Sequence, residues 1–361
     1  MCSGYQAVIR ALGLALYGPM AASTRYRLSQ YVPGLRLKGI ELKVSSLLGD
    51  DYLLKRFGGG SLPLASMLEA GIGRLREIRA GDYDVAMLHC ELFPLMPGIL
   101  ECQLLRRRPY LYDFDDAFYL KYRHGRLSAL DSMLGGKFDT VMRGAAAITA
   151  GNATLVDYAS RYNSLASFLP TVVDTARYEP KPSSLNQIFT IGWIGSPSTA
   201  PYLEQLRPSI ERLAAESPVR LVVIGGRAPD LVDVEIVEKP WREDTEVADI
   251  QEFDVGVMPL PDDDWAKGKC AFKLIQYMAC GIPVVGSHVG ANIAVVDPAC
   301  GFLASSDDEW STALRALRDD RTLSKSMGAA ARARVEQHYS LRRNLPLLAS
   351  VIHNAENERR A

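Results

Sequence analysis

Residues 268–285 read GKCAFKLIQYMACGIPVV. The pattern predicts a helix running directly into a buried strand. Phe272, Ile275 and Ala279 recur at helical spacing with Leu274 and Met278 beside them, which gives one apolar face for a sheet. Gly281 stands where a left-handed C-cap is wanted, and Pro283 stops the helix. Lys269 and Lys273 are four apart on the expected first turns, and Gln276 follows. A helix N-terminus offers N–H groups and the positive end of the macrodipole, so two ammonium groups beside it suit a diphosphate. Two solvated lysines on an amphipathic helix fit the same spacing.

On either side of this segment the chain alternates strands with helices. Strands are expected at 11–17, 41–47, 84–88, 109–112, 145–150 and 167–169, then at 189–193, 219–224, 235–237, 254–258 and 283–285. Helices are expected at 66–79 and 203–215, and after Gly301-Phe302-Leu303 the chain turns helical to its end. Such alternation predicts α/β architecture, with parallel sheets covered on both faces. Residues 169–187, LPTVVDTARYEPKPSSLNQ, mark a junction between two Rossmann-like, doubly wound domains, 1–175 and 176–340, with a terminal helix at 341–361.

The 361 residues suffice for two cores, and a formal net charge of −1 gives no global field for nucleic acid. Six cysteines at 2, 90, 102, 270, 280 and 300 form no C-x-x-C pair, and the five histidines no H-x-x-x-H. The pattern predicts neither a disulfide framework nor a metal site, and it fits a reducing cytoplasm. No secretory leader or transmembrane run is expected. G-x-G-x-x-G after the first strand, G-x-x-x-x-G-K-[ST] and G-x-S-x-G are all absent, against a dehydrogenase, a P-loop enzyme and an α/β-hydrolase.

Residues 254–265, DVGVMPLPDDDW, together with 268–285, resemble the donor-binding core of GT-B nucleotide-sugar glycosyltransferases, most closely the retaining family 4, or group 1. Gly151-Asn152, Leu169 to Asp174 (LPTVVD) and residues 191–199, IGWIGSPST, extend the resemblance over nearly the whole chain. That family carries two acids separated by seven residues, the second opening E-A-M-A-x-G-x-P-V-V. Here Gly268 and Gln276 stand at those positions. A glutamine can still accept a ribose hydroxyl through its amide oxygen, whereas Gly268 offers only backbone.

The resemblance implies two domains facing a cleft. The second holds a nucleotide-diphosphate sugar and the first holds a glycan or lipid-linked acceptor. It implies transfer with retention, no cofactor and no metal, and a terminal helix that crosses back to the first domain. It also implies a cytoplasmic enzyme, at the inner face of a membrane where the acceptor is lipid-linked. A nucleotide-sugar epimerase on the same fold, or a degenerate nucleotide-sugar-binding protein, are the alternatives.

Donor binding is expected at Lys273, Lys269, Gln276 and Gly268, and at Arg227 after the strand-ending Gly225-Gly226. Gly195 lies in the second domain's first loop. Trp241 either stacks on the base or packs at a helix start. In the first domain, YLYDFDD ends a strand with Asp113, Asp115 and Asp116. Carboxyl ends of strands are where open α/β sheets place ligands, so Asp116 or Asp115 is the expected acceptor-side base, with a helix N-cap as the competing reading. Arg123, His124 and Arg126 are candidate partners for these carboxylates. Glu91 and His89 end another strand. Arg25 and Arg27 either bind an anionic acceptor or support the fold. Arg106-Arg107-Arg108 either meet anionic headgroups in a peripheral membrane contact or are solvated. Asp262 to Asp264 read as a solvated turn.

Overall fold

The computed structural model describes residues 8–58, 64–180 and 186–360. The chain forms two compact units, Met1–Thr171 with Asn344–Ala361, and Val172–Arg343. Part of the expected junction, 181–185, lies outside the described residues.

In the first unit, β1 (Ile9–Tyr17), β2 (Ile40–Leu48), β3 (Val85–His89), β4 (Tyr110–Phe114), β5 (Ala147–Ala150) and β6 (Ala166–Phe168) make a parallel sheet in the order β2-β1-β3-β4-β5-β6. In the second, β7 (Phe189–Ile194), β8 (Val219–Ile224), β9 (Val234–Lys239), β10 (Val255–Met258), β11 (Val284–Ser287) and β12 (Gly301–Ala304) make another, ordered β12-β11-β10-β7-β8-β9. The chain winds to one side of β1 and then the other, and does the same about β7. Each sheet therefore has a topological switch point, between β1 and β3 and between β7 and β10, where a ligand finds a crevice. Central strands β3, β4, β7 and β10 are buried along their whole length, as strands covered on both faces must be.

The helix Phe272–Ala279 links β10 to β11. Ala271 before it is left-handed at φ 53°, and Gly281 after it at φ 67°. Tyr277 locks this helix to the sheet. The Ile194 N–H donates to the Tyr277 hydroxyl at 2.9 Å, and the ring packs edge-on against Phe253. Gly256 leaves the room: a Cβ there would lie 2.1 Å from the Tyr277 ring.

Among the buried charges of the first unit's core is Asp113 on β4. It is in register with His89 on β3 and is fully buried. Arg27, at the end of the helix Ala22–Arg27, donates to both its oxygens, at 3.0 and 2.5 Å, and to the Leu169 carbonyl at 2.7 Å. Thr149 on β5 and His89 complete the set. Burial would raise the Asp113 carboxyl, but the Arg27 guanidinium and the His89 hydrogen bond more than offset it and hold it well below the usual range. Arg27 thus supports the fold. Arg25 does the same for the loop after β1, donating to the Pro19 and Met20 carbonyls at 2.7 Å.

Arg27→Ala leaves Asp113 as a buried, uncompensated charge. It should cost about 3–5 kcal/mol, read as a lower urea midpoint for the first unit. A loss of under about 1 kcal/mol would mean that water reaches Asp113 in the native protein.

Candidate active site

The second unit gathers its candidate residues at the switch point. The Gly195 N–H, just past β7, donates to the Ile224 carbonyl, and the Gly225 N–H, just past β8, to that of Lys239. The two glycine backbones touch: a Cβ on Gly225, at φ 76°, would lie 2.4 Å from the Gly195 oxygen. A Cβ on Gly195 would lie 2.5 Å from the Trp193 ring and 2.7 Å from Lys273 Cε. Lys273, the second residue of its helix, holds its ammonium 5.3 Å from the Trp193 ring centroid. An indole face steadies a cation there without neutralising it. Lysine, helix start and glycine loop thus converge on one spot.

The other donor-side residues are arranged differently from the sequence reading. The helix starts at Phe272, so Lys269 lies before its first turn, with its ammonium 6.0 Å from the Trp265 ring centroid. The left-handed Ala271 breaks the expected continuous helix, so the two lysines do not share one helical face. Gly268 closes the short helix Asp264–Lys267 and is buried. Asp263 caps that helix, accepting the Ala266 N–H at 2.7 Å, and Asp262 pairs with Lys267 at 3.1 Å.

Gln276 is buried and donates to the Tyr178 hydroxyl at 2.8 Å. That hydroxyl donates in a short bond to buried Glu246, which also accepts the Trp241 indole N–H at 2.7 Å. Trp241 therefore packs beside Gly225, with its polar edge engaged inward. Arg227 is exposed and lines a shallow hollow with Pro197, Ala200, Glu204 and Pro229.

In the first unit, Glu91 is engaged as a buried, paired anion. It is fully buried, with bonds from Lys121, from the Tyr122 hydroxyl at 2.9 Å and from Lys137 at 2.7 Å. Burial would raise its carboxyl, but the two ammonium groups hold it below its usual range, which leaves a weak proton acceptor. Glu101 sits on the same Lys137 at 3.0 Å.

Asp115 and Asp116 lie in the turn after β4, and both are partly exposed. The capping position of the following 3-10 helix, Phe118–Leu120, is Ala117, which has no group to cap with. Arg123 turns to Asp139 at 2.6 Å and to the Tyr158 hydroxyl, and the Arg126 side chain lies outside the described residues. Asp115 Oδ1 stands 3.7 Å from His89 Nε2. Arg107 and Arg108 donate to the Arg79 and Tyr83 carbonyls, at 3.3 and 2.8 Å.

Residues 188–320, within the second unit, match the model of the family described as glycosyl transferases group 1. The structure resembles Anabaena Alr3699/HepE in complex with UDP and glucose: TM-score 0.67, 15% identity, covering 96% of this chain and 99% of that one. It resembles the sucrose-phosphate synthase of Thermosynechococcus elongatus with TM-score 0.70 and 12% identity, over 97% and 100% of the two chains. WaaG, a glycosyltransferase involved in lipopolysaccharide biosynthesis, matches with TM-score 0.63 and 15% identity, over 95% and 99%. No curated protein matches by sequence. The fold is GT-B.

Three features of this GT-B chain have no local signal in its sequence. Trp193 lay unnoticed inside a predicted strand. Tyr178 and Glu246 are 68 residues apart, and nothing local links them. The left-handed Ala271 carries no glycine signal, although Asp263 three residues before Ala266 was a readable helix start.

Gly195→Ala must displace the Trp193 ring or the Lys273 stem. It should cost about 1–3 kcal/mol in urea unfolding and shift tryptophan emission. An unchanged midpoint and spectrum would show that the glycine loop is looser than this geometry.

Proposed function

We propose that this protein is a glycosyltransferase that moves a sugar from a nucleotide-diphosphate donor to a glycan or lipid-linked acceptor, with retention; the match of residues 188–320 to glycosyl transferases group 1 supports this. One observation carries the donor half: the Lys273 ammonium stands at a helix start, against the glycine loop, at the switch point of the second sheet. Charge developing on the leaving diphosphate is met there by a fixed cation and the helix dipole, with no metal required at that spot. Anabaena Alr3699/HepE, whose structure is similar, is known in complex with UDP-glucose, which supports a donor of this class. Lys269, Arg227 and Gly195 form the rest of the donor site. Gln276 meets the ribose only through whatever its inward bond to Tyr178 leaves available.

On the acceptor side, Asp116 and Asp115 are the carboxylates at the carboxyl end of β4, and one of them orients the attacking hydroxyl. Exposed Leu68, Ile72, Ile99 and Leu100 on the helices Leu64–Ala80 and Gly98–Leu105 support a peripheral contact with the inner face of a membrane. Among the described residues no helix is long and apolar enough to cross one.

A second reading, a nucleotide-sugar binder without turnover, is favoured by one pair of observations: Gly268 brings no side chain, and Gln276 is bonded inward. Nucleotide release, measured with and without candidate acceptors, separates the two. Transfer predicts acceptor-dependent release, and the binder predicts none.

Lys273→Ala should weaken UDP binding by about 1.5–3 kcal/mol and leave uridine binding nearly unchanged, as calorimetry would show. Equal losses for both ligands would remove Lys273 from the diphosphate site. Asp116→Asn should lower turnover and leave donor affinity unaltered. Parental turnover would exclude Asp116 and leave Asp115.

A further inference from the structure

Sequence spacing gave no metal-binding set, but the first unit assembles one at its own switch point. His89 ends β3, and Cys90 follows it in the left-handed region, at φ 66°, which is rare for a residue with a Cβ. Asp115 approaches from the turn after β4. One ligand atom from each of the three lies within 4.8 Å of the other two.

The imidazole shows what this cluster lacks. Its Nδ1 meets the ionised Asp113 at 2.9 Å, and a proton held there makes Nε2 the nitrogen that can ligate. Nε2 is buried and has no hydrogen-bond partner. What stands before it is the Asp115 carboxylate, 3.7 Å away, too far for a hydrogen bond. A cation between this nitrogen and this carboxylate would bond to both.

We propose that His89 Nε2, Cys90 Sγ and Asp115 form a binding site for a divalent cation of the zinc class. A tetrahedral zinc ion holds nitrogen and oxygen ligands at about 2.0–2.2 Å, which sets them roughly 3.4 Å apart. The Nε2 to Asp115 pair needs to close by only a few tenths of an ångström. Imidazole with thiolate selects zinc over magnesium or calcium, which take all-oxygen shells. Asp113 fixes the ring as a carboxylate behind a ligating histidine.

The thiol must ionise as the cation binds. Burial and the carboxylates of Asp115 and Asp113 push the Cys90 thiol up, so without metal it is protonated. The cation reverses that balance: the S–H proton leaves to solvent as the metal–sulfur bond forms. Asp115, whose side chain is 16% exposed, is the route in. Three protein ligands leave a fourth position for water or an incoming hydroxyl.

The test is a cobalt titration of the untagged, chelator-treated full chain, followed by zinc. The expected result is one equivalent of Co²⁺ with a thiolate-to-cobalt charge-transfer band, displaced by Zn²⁺. Cys90→Ser should abolish the band, and Asp115→Asn should weaken binding by about tenfold or more. Circular dichroism and thermal melts confirm that both near-isosteric variants are folded, and Zn²⁺ should raise the melting temperature of the parent but not of Cys90→Ser. No uptake at micromolar metal would overturn the proposal. So would a band that survives in Cys90→Ser, since another cysteine would then be the ligand.

Discussion

The hydrogen bond from the Ile194 N–H to the Tyr277 hydroxyl holds the candidate donor site of the second unit in place. Lys273 is four residues before Tyr277, one helical turn back toward the N-terminus. Anchoring Tyr277 to Ile194, the last residue of β7, therefore fixes the height of Lys273 over Trp193, the residue before it on the same strand. Both partners are buried, so leaving either unpaired costs about 1–3 kcal/mol. Gly256 and Gly192 make the anchor possible: a Cβ at either would run into the rings of Tyr277 or Phe253. Packing deep in the sheet thus positions a charge at its edge.

The first unit is organised by buried charge. Asp113 and Glu91 are both fully buried, and both are held ionised by close cations, Arg27 for one and Lys121 with Lys137 for the other. Burial of this kind is tolerated only when each charge is paired and hydrogen-bonded. The same rule isolates His89 Nε2, a buried polar atom that the protein alone does not satisfy. Asp115 and Asp116, one turn beyond the sheet, keep access to solvent, which chemistry on an acceptor requires and which Glu91 lacks.

Much of the fold was legible because its signals are local. The strands at 219–224 and 189–193 are runs of apolar residues bounded by glycines and polar turns, and the structure places β8 at Val219–Ile224 and β7 at Phe189–Ile194. Gly281 announced its left-handed cap. The short β12, Gly301–Ala304, was not read as a strand, since four residues opening on glycine carry little periodicity. The helix before β11 was begun four residues early because nothing in K-C-A-F marks Ala271 as a break. The site was less legible than the fold. Glu91 reads as a cleft carboxylate until Lys121 and Lys137 arrive from 30 and 46 residues away. The amide N–H of Gln276 is turned to the Tyr178 hydroxyl, 98 residues distant, which its sequence position does not announce. Charge pairing over such separations depends on topology, which composition and spacing do not encode.

The most direct test of the donor site is a crystal structure with bound UDP. The account predicts diphosphate oxygens within about 3 Å of Lys273 Nζ, beside the helix start at Phe272 and the Gly195 loop. A well-ordered nucleotide whose diphosphate lies away from Lys273, at another edge of the second sheet, would contradict it.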